Sequence, residues 1–223
     1  MPGYSHAFIS YQTQDKLVAA RLKISLERVG IRAFLAHEDI EVSDVWRSRI
    51  LQELRVADMF IAVLSQAYLE SFWCVQESGV AAFRDDLLVV PLSLDGTIPQ
   101  GFLSSFQSVR IDGADVDLAA IAPAFVKNDL SKGIDTLILV LKKSVNYRSA
   151  EAIFSLIMPH VRSIKNEQAA ALISAAAETE EVSNAMKCVR EYIPALLRAF
   201  PSVGDTQSRS FLVGECKRYG VTV

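Results

Sequence analysis

Met59-Phe60-Ile61-Ala62-Val63-Leu64 is an uninterrupted run of apolar residues, and this stretch decides the fold. A strand with one face in water alternates apolar and polar residues, and this stretch does not. Runs of this kind are typical of strands that are covered on both faces in a parallel sheet. The stretch therefore predicts the central strand of a parallel sheet with helices on both sides.

Further strands and helices alternate along the chain around this run. The other predicted strands cover residues 7–11, 31–35, 87–92 and 109–111. Gly30 is expected to stop the first helix in a left-handed cap, and Ser43 or Asp44 to begin the second. Because parallel strands need crossover connections, the pattern predicts an α/β domain with a five-stranded, parallel, flavodoxin-like sheet flanked by helices. A helix over about residues 130–143 completes this domain, which we expect to span residues 1–145.

The pattern changes to helices alone after Asn146, and residues 146–223 are predicted to form a small all-α module. Pro194 is expected to bend or interrupt one of its helices, because proline lacks the backbone N–H and clashes with the preceding turn. A last helix is expected over about residues 207–218, begun by Thr206.

Composition and charge restrict the classes of function. The chain has 223 residues, of which 51% are hydrophobic, and its net charge of −3 argues against binding through nucleic-acid phosphates. The three cysteines are far apart in the sequence, which fits neither a disulfide framework nor a zinc site. No signal peptide and no apolar run of about 20 residues is visible. We therefore expect a soluble, cytoplasmic protein that binds neither nucleic acid nor membrane.

A lone carboxylate stands in the apolar stretch Ser71-Phe72-Trp73-Cys74-Val75-Gln76-Glu77-Ser78-Gly79, which follows the central strand. On a helix, the neighbours of Glu77 would be Trp73, Cys74, Val80 and Ala81. None of them is a cation. Either Glu77 is the working residue of a site, or it lies near a helix start, where the helix dipole favours negative charge. The stretch alone leaves both interpretations open.

Several catalytic patterns of α/β proteins are missing from the sequence. No Gly-x-Gly-x-x-Gly follows the first strand, where Ser10-Tyr11-Gln12-Thr13 stands, and no Walker-type loop is present. A phosphate-receiver site would need an aspartate at the end of the central strand, where Leu64-Ser65 stands. The three histidines lack metal-ligand spacing, so no metal site is expected. No nucleophile elbow supports Ser-His-Asp hydrolysis.

Open α/β sheets bind ligands at the carboxyl ends of their strands. The candidates at this edge are Ser10, Tyr11, Leu35, the loop 36–45 with Asp39, Ser65, and the helix that carries Trp73 and Glu77. The predicted site thus contains one acid among aromatic residues.

Four segments of the first domain carry a family resemblance. They are Phe8-Ile9-Ser10-Tyr11 with Asp15, residues 30–35, residues 39–46, and residues 57–77. The first two segments resemble the first and second strands of the Toll/interleukin-1 receptor (TIR) domain family. Residues 39–46 resemble the family's BB loop with the following helix, and residues 57–77 resemble its third strand with the helix after it. The resemblance covers residues 1 to about 145 and does not extend to the helical remainder.

The resemblance implies an enzyme that consumes NAD⁺. Many TIR domains of this type cleave NAD⁺, and their catalytic glutamate lies at the position that Glu77 matches. NAD⁺ is then the substrate, and no cofactor is expected. Tyr11, Trp46 and Trp73 are expected to stack on the substrate or to wall its cleft, although core packing explains each of them equally well. Ser10 and the loop 36–45 would line the cleft.

Three functions remain open at this point. The first is an NAD⁺ glycohydrolase or cyclase in an immune or defence role, activated by self-assembly with other TIR domains or by a regulatory protein bound to the helical module. The second is a non-catalytic TIR scaffold that acts through TIR–TIR contacts of the loop 36–45. The third is another ribosyl-transferring enzyme, such as a nucleoside deoxyribosyltransferase, which would ignore NAD⁺.

Overall fold

The computed structural model describes residues 3–36, 46–111 and 116–223. The chain divides into two compact units, with the boundary between residues 124 and 125. No helix in the described part of the chain is both long enough and apolar enough to cross a membrane.

The first unit contains a parallel sheet. Its strands are β1 (His6–Ser10), β2 (Arg32–Leu35), β3 (Met59–Leu64), β4 (Leu88–Ser93) and β5 (Val109–Arg110). Its helices are α1 (Lys16–Arg28), α2 (Trp46–Val56), α3 (Gln66–Glu70) and α4 (Phe72–Ala82). The five strands are ordered β2-β1-β3-β4-β5, and every pairing is parallel. This confirms the predicted flavodoxin-like sheet with residues 59–64 at its centre.

Three phenylalanines on neighbouring strands form the middle of one sheet face. Phe8 pairs in register with Phe34 of β2 and with Phe60 of β3. The ring centroids of these two pairs are 5.4 Å and 5.8 Å apart. Buried side chains of α2, α3 and α4 join the same cluster and cover this face. Because side chains alternate along a strand, Ser10 points to the face that Phe8 occupies.

Polar residues at the helix ends set where these elements begin. Gly30 has the expected left-handed conformation, with φ of 84°, two residues after α1 ends. Ser65 caps α3 and Ser71 caps α4, each by accepting a hydrogen bond from a backbone N–H of the first turn. The predicted caps Ser43 and Asp44 lie outside the described residues.

The second unit is helical. Its helices are α6 (Leu130–Leu141), α7 (Tyr147–Ile157), α8 (Asn166–Glu178), α9 (Glu180–Ser183), α10 (Ile193–Ala199) and α11 (Thr206–Arg218), whereas α5 (Ala122–Asn128) crosses the boundary. The predicted first domain, residues 1–145, includes α6. In the structure α6 packs against α7 and α8, so the compact-unit boundary precedes it. The domain limits themselves stay a prediction.

Two local features of the second unit bear on the predictions for it. The helical stretch around Pro194 is interrupted, because a π-helical segment, Cys188–Tyr192, precedes α10. This confirms the expected interruption. The cap of α11 is Asp205 rather than Thr206, since the Asp205 carboxylate accepts a hydrogen bond of 2.7 Å from the N–H of Ser208.

Candidate functional site

Glu77 and Ser10 meet at the carboxyl end of β1. Ser10 is the last residue of β1, and Glu77 lies on the inner side of α4, where only 2% of its surface is exposed. The Ser10 hydroxyl donates a hydrogen bond of 2.5 Å to Oε2 of Glu77. A small side chain at the strand end leaves the space that the carboxyl group fills. Two residues separated by 67 positions in the sequence thus form one contact.

A buried hydroxyl chain continues from Ser10 into the domain. The Tyr68 hydroxyl donates to Oγ of Ser10 at 3.0 Å and lies 2.8 Å from Oγ of Ser78. Ser78 also donates to the carbonyl of Cys74 at 2.8 Å. Burial raises the pKa of the Tyr68 phenol and raises the pKa of the Cys74 thiol to about 11, so both groups stay protonated at neutral pH. Glu77 is therefore the group of this network that titrates near neutrality.

The two carboxyl oxygens of Glu77 have different surroundings. Oε2 accepts from Ser10, whereas Oε1 is buried and has no hydrogen-bond partner among the described residues. Burial raises the pKa of Glu77 from its ordinary value of 4.5 to about 7, and the bond from Ser10 opposes this increase. A buried oxygen without a partner is costly, so a ligand that donates a hydrogen bond there would be favoured.

The helix-dipole interpretation of Glu77 does not hold. α4 begins at Phe72, and the first turn of the helix contains no acidic residue. The favourable effect of the dipole is confined to that first turn. The position of Glu77 is instead set by its contact with Ser10.

Three other predicted residues lie at the same edge of the sheet. Tyr11 follows β1 and is buried, and Leu35 ends β2, pairs with Ile9 and is also buried. The Ser65 hydroxyl donates to Asp15 at 2.6 Å and accepts from the N–H of Tyr68 at 3.2 Å. Ser65 therefore anchors α3, which carries Tyr68 to Ser10.

The remaining predicted residues are placed differently. Trp46 begins α2 and packs, partly buried, against the core of the first unit. Trp73 lies one turn before Glu77 on α4 and is 42% exposed. Asp39 lies outside the described residues. The substrate-binding roles of these residues stay predictions, as do those of Ser10, Tyr11, Leu35 and Ser65.

Sequence reasoning missed Tyr68 and Ser78 as members of the site. A signal for Tyr68 existed, because a tyrosine three residues after the helix-capping Ser65 must lie within the first turn beside the strand end. For Ser78 the signal was helical spacing, which places it one turn after Cys74 on the inner side of α4. Within the described ranges, no group of three or more His, Cys, Asp or Glu side chains could hold a metal ion.

Residues 7–122 match the family model described as the TIR domain, which covers more than half of the 223 residues. The chain belongs to the TIR domain family. The match contains both Ser10 and Glu77, so the contact between them lies inside the TIR domain. The helices after α5 lie outside the match.

Among solved structures, the TIR domain of the Toll-related receptor TRR-2 from the lower metazoan Hydra magnipapillata matches this chain at 20% sequence identity, with a TM-score of 0.43. The match covers 55% of this chain and 92% of the Hydra chain. At this score it carries no argument about function. No curated protein matches the chain.

Proposed function

We propose that this TIR domain cleaves NAD⁺ at the bond between nicotinamide and ribose, as a glycohydrolase or a cyclase, with Glu77 as the catalytic residue. The observation that supports this proposal is the asymmetry of the Glu77 carboxyl group. One oxygen is fixed by Ser10, and the other is buried without a partner among the described residues. A ribose hydroxyl would donate the hydrogen bond that this second oxygen lacks.

A single carboxylate suffices for this reaction. The C1′–N bond breaks, and its electron pair moves to the pyridinium nitrogen, so that nicotinamide leaves as a neutral molecule without a general acid. Ordinary glycosides need a second carboxyl group for that step. Positive charge develops on the ribose, and a carboxylate held in a water-poor site stabilises it by several kcal/mol. Water then bonds to C1′ and releases a proton to solvent, which gives ADP-ribose, or the adenine or ribose of the same molecule bonds to C1′, which gives a cyclic product.

The protonation of Glu77 fits this role. With a pKa of about 7, the carboxyl group of the free protein is partly ionised at neutral pH. The reaction needs the ionised form, because only the carboxylate stabilises positive charge on the ribose. The cationic nicotinamide ring of the substrate, bound beside the carboxyl group, favours that form.

The test is NAD⁺ turnover by the purified chain at low and high protein concentration, with chromatographic identification of the products. Glu77→Gln keeps the shape of the side chain and removes its charge. The matched control is Glu70→Gln, because Glu70 is exposed on the neighbouring helix α3. We expect the wild type and the Glu70 variant to release nicotinamide and the Glu77 variant to lose at least about 100-fold in turnover.

A second candidate is a non-catalytic scaffold that acts through TIR–TIR contacts. The observation that favours it is the exposed apolar outer side of α4, where Phe72 is 85% and Phe83 is 89% exposed. Absence of nicotinamide release at every concentration would favour this candidate over the enzyme. Turnover of nucleosides in place of NAD⁺ would favour a deoxyribosyltransferase. For the NAD⁺-cleaving enzyme, we assign residues 146–223 a regulatory or oligomerising role.

A further inference from the structure

The outer face of α4 is mostly apolar and carries no charged residue. We define it as Phe72, Val75, Gln76, Gly79, Val80 and Phe83. Helical spacing places these residues on one side of α4, opposite the side that carries Cys74, Glu77 and Ala81. Phe72 and Phe83 are almost fully exposed, and Val75 is 50% exposed. Outer helices of α/β domains usually present charged residues to water, so this face has the composition of an interface.

The outer face of α4 has a depression in its middle. Gly79 has no side chain, and Phe102, from a short helical turn over Gly101–Ser105, stands beside it. Cδ2 of Phe102 lies 3.9 Å from the position that a β-carbon on Gly79 would take. The resulting groove has a volume of about 610 Å³ and is lined by Gln76, Gly79, Val80, Ala82, Phe83 and Phe102. No charged residue lines it, so its occupant must be uncharged there.

The residues of the outer face of α4 form a nearly palindromic sequence, which reads almost the same from either end of the helix. About a point midway between Glu77 and Ser78, Phe72 mirrors Phe83, Val75 mirrors Val80, and Gln76 mirrors Gly79. In an antiparallel pair of identical helices, residues so related lie opposite each other. Phenylalanine would then meet phenylalanine, valine would meet valine, and the glutamine of one copy would meet the gap left by Gly79 of the other. Two-fold symmetric interfaces require this self-complementarity.

The exposed apolar area reaches the lower end of the range for specific interfaces. Phe72, Phe83 and Phe102 are 85%, 89% and 78% exposed. Burying these three rings would remove roughly 500 Å² per protomer from water, given the area of an aromatic side chain. A standard interface buries roughly 800 Å² per partner, and the two valines supply part of the remainder. Two antiparallel helices also oppose their dipoles favourably.

We propose that the outer face of α4 binds the same face of a second copy of this chain, with the two α4 helices antiparallel about a two-fold axis. Phe72 of each copy packs on Phe83 of its partner. Because Glu77 occupies the inner side of the same helix, the pairing leaves the contact with Ser10 in place. The inference is independent of the proposed NAD⁺ cleavage and rests on the same exposed face as the scaffold candidate.

Sedimentation velocity of the full chain over a wide concentration range tests the pairing. The wild type should form dimers, and Phe83→Glu should weaken dimerisation about 100-fold or more, because the change buries a charge in each half of the interface. The control is Leu17→Glu, since Leu17 is an apolar residue of α1 that is 71% exposed. It should leave the dimer unchanged. A wild type that stays monomeric, or equal losses in both variants, would overturn the proposal.

Two double variants test the register. Phe72→Glu with Phe83→Glu places like charges opposite each other, whereas Phe72→Lys with Phe83→Glu places opposite charges there. The second should dimerise at least about 10-fold more tightly than the first. Equal affinities would refute the antiparallel pairing. Both positions are exposed, so the changes leave the fold of the monomer intact, which far-UV circular dichroism verifies.

Discussion

Glu77→Gln should stabilise the first compact unit above neutral pH while it abolishes NAD⁺ turnover. Glutamine keeps the size of the side chain and an oxygen that accepts from Ser10. It removes a carboxylate whose ionisation is opposed by burial. Such opposite effects on stability and activity are typical of residues that are kept for function.

The magnitude follows from the pKa of Glu77. In the folded protein it is about 7, against an ordinary value of 4.5. Between these values the folded state keeps a proton that the unfolded state releases, so the free energy of unfolding falls as pH rises through this window. At 1.36 kcal/mol per pH unit, the loss is complete above pH 7 and amounts to about 3 kcal/mol. Below pH 4.5 no loss occurs. Glutamine does not ionise, so the free energy of unfolding of the variant does not fall in this way as the pH rises.

Urea unfolding followed by tryptophan fluorescence measures this difference. The chain has two tryptophans, Trp46 and Trp73, and both lie within residues 4–124, so the signal reports on the first compact unit. The free energy of unfolding of the variant minus that of the wild type should grow by about 2 to 3 kcal/mol from pH 5 to pH 8. Glu70→Gln, at an exposed position of α3, is the matched control. If the difference for Glu77→Gln stays flat or falls as the pH rises, the reasoning that burial raises the pKa of Glu77 is refuted.

Four further outcomes are expected. The NAD⁺ turnover of the wild type, measured as kcat/KM, should rise with pH through about 7 as Glu77 ionises; a flat profile would contradict this role. Tyr68→Phe removes a hydroxyl that bonds two buried serines, and should lower the free energy of unfolding by about 1–3 kcal/mol in the fluorescence assay. Asp205→Ala removes the cap of α11 and should lower the thermal midpoint measured by circular dichroism, whereas Asp205→Asn should lower it less. Gly133→Ala places a β-carbon against the backbone carbonyl of Phe125 and should destabilise the helical unit by about 1–3 kcal/mol, so an unchanged thermal midpoint would contradict that close packing.

Local patterns explain why the sheet was predictable from sequence. The apolar run of residues 59–64 has no alternation, and a strand covered on both faces needs none. Gly30 takes the left-handed conformation that the end of α1 requires. Each of these features depends on residues that are neighbours in the chain.

Contacts between residues that are distant in the chain could not be predicted from the sequence. The local sequence does not indicate that α6 packs with α7 and α8, because the apolar side of a helix does not specify which element covers it. The same holds for Asp205, since Asp205 and Thr206 are both acceptable cap residues and only the backbone geometry selects one.

The candidate site also combines a feature that was predictable from the sequence with features that only the tertiary structure shows. The sequence by itself determined that one carboxylate, Glu77, stands among apolar residues after the central strand. Only the tertiary structure decided what surrounds it: Ser10 on one oxygen, no partner among the described residues for the other, and Tyr68 behind Ser10. The raised pKa of Glu77 follows from that burial. Desolvation depends on all atoms packed around a group, and those atoms come from segments that only folding brings together.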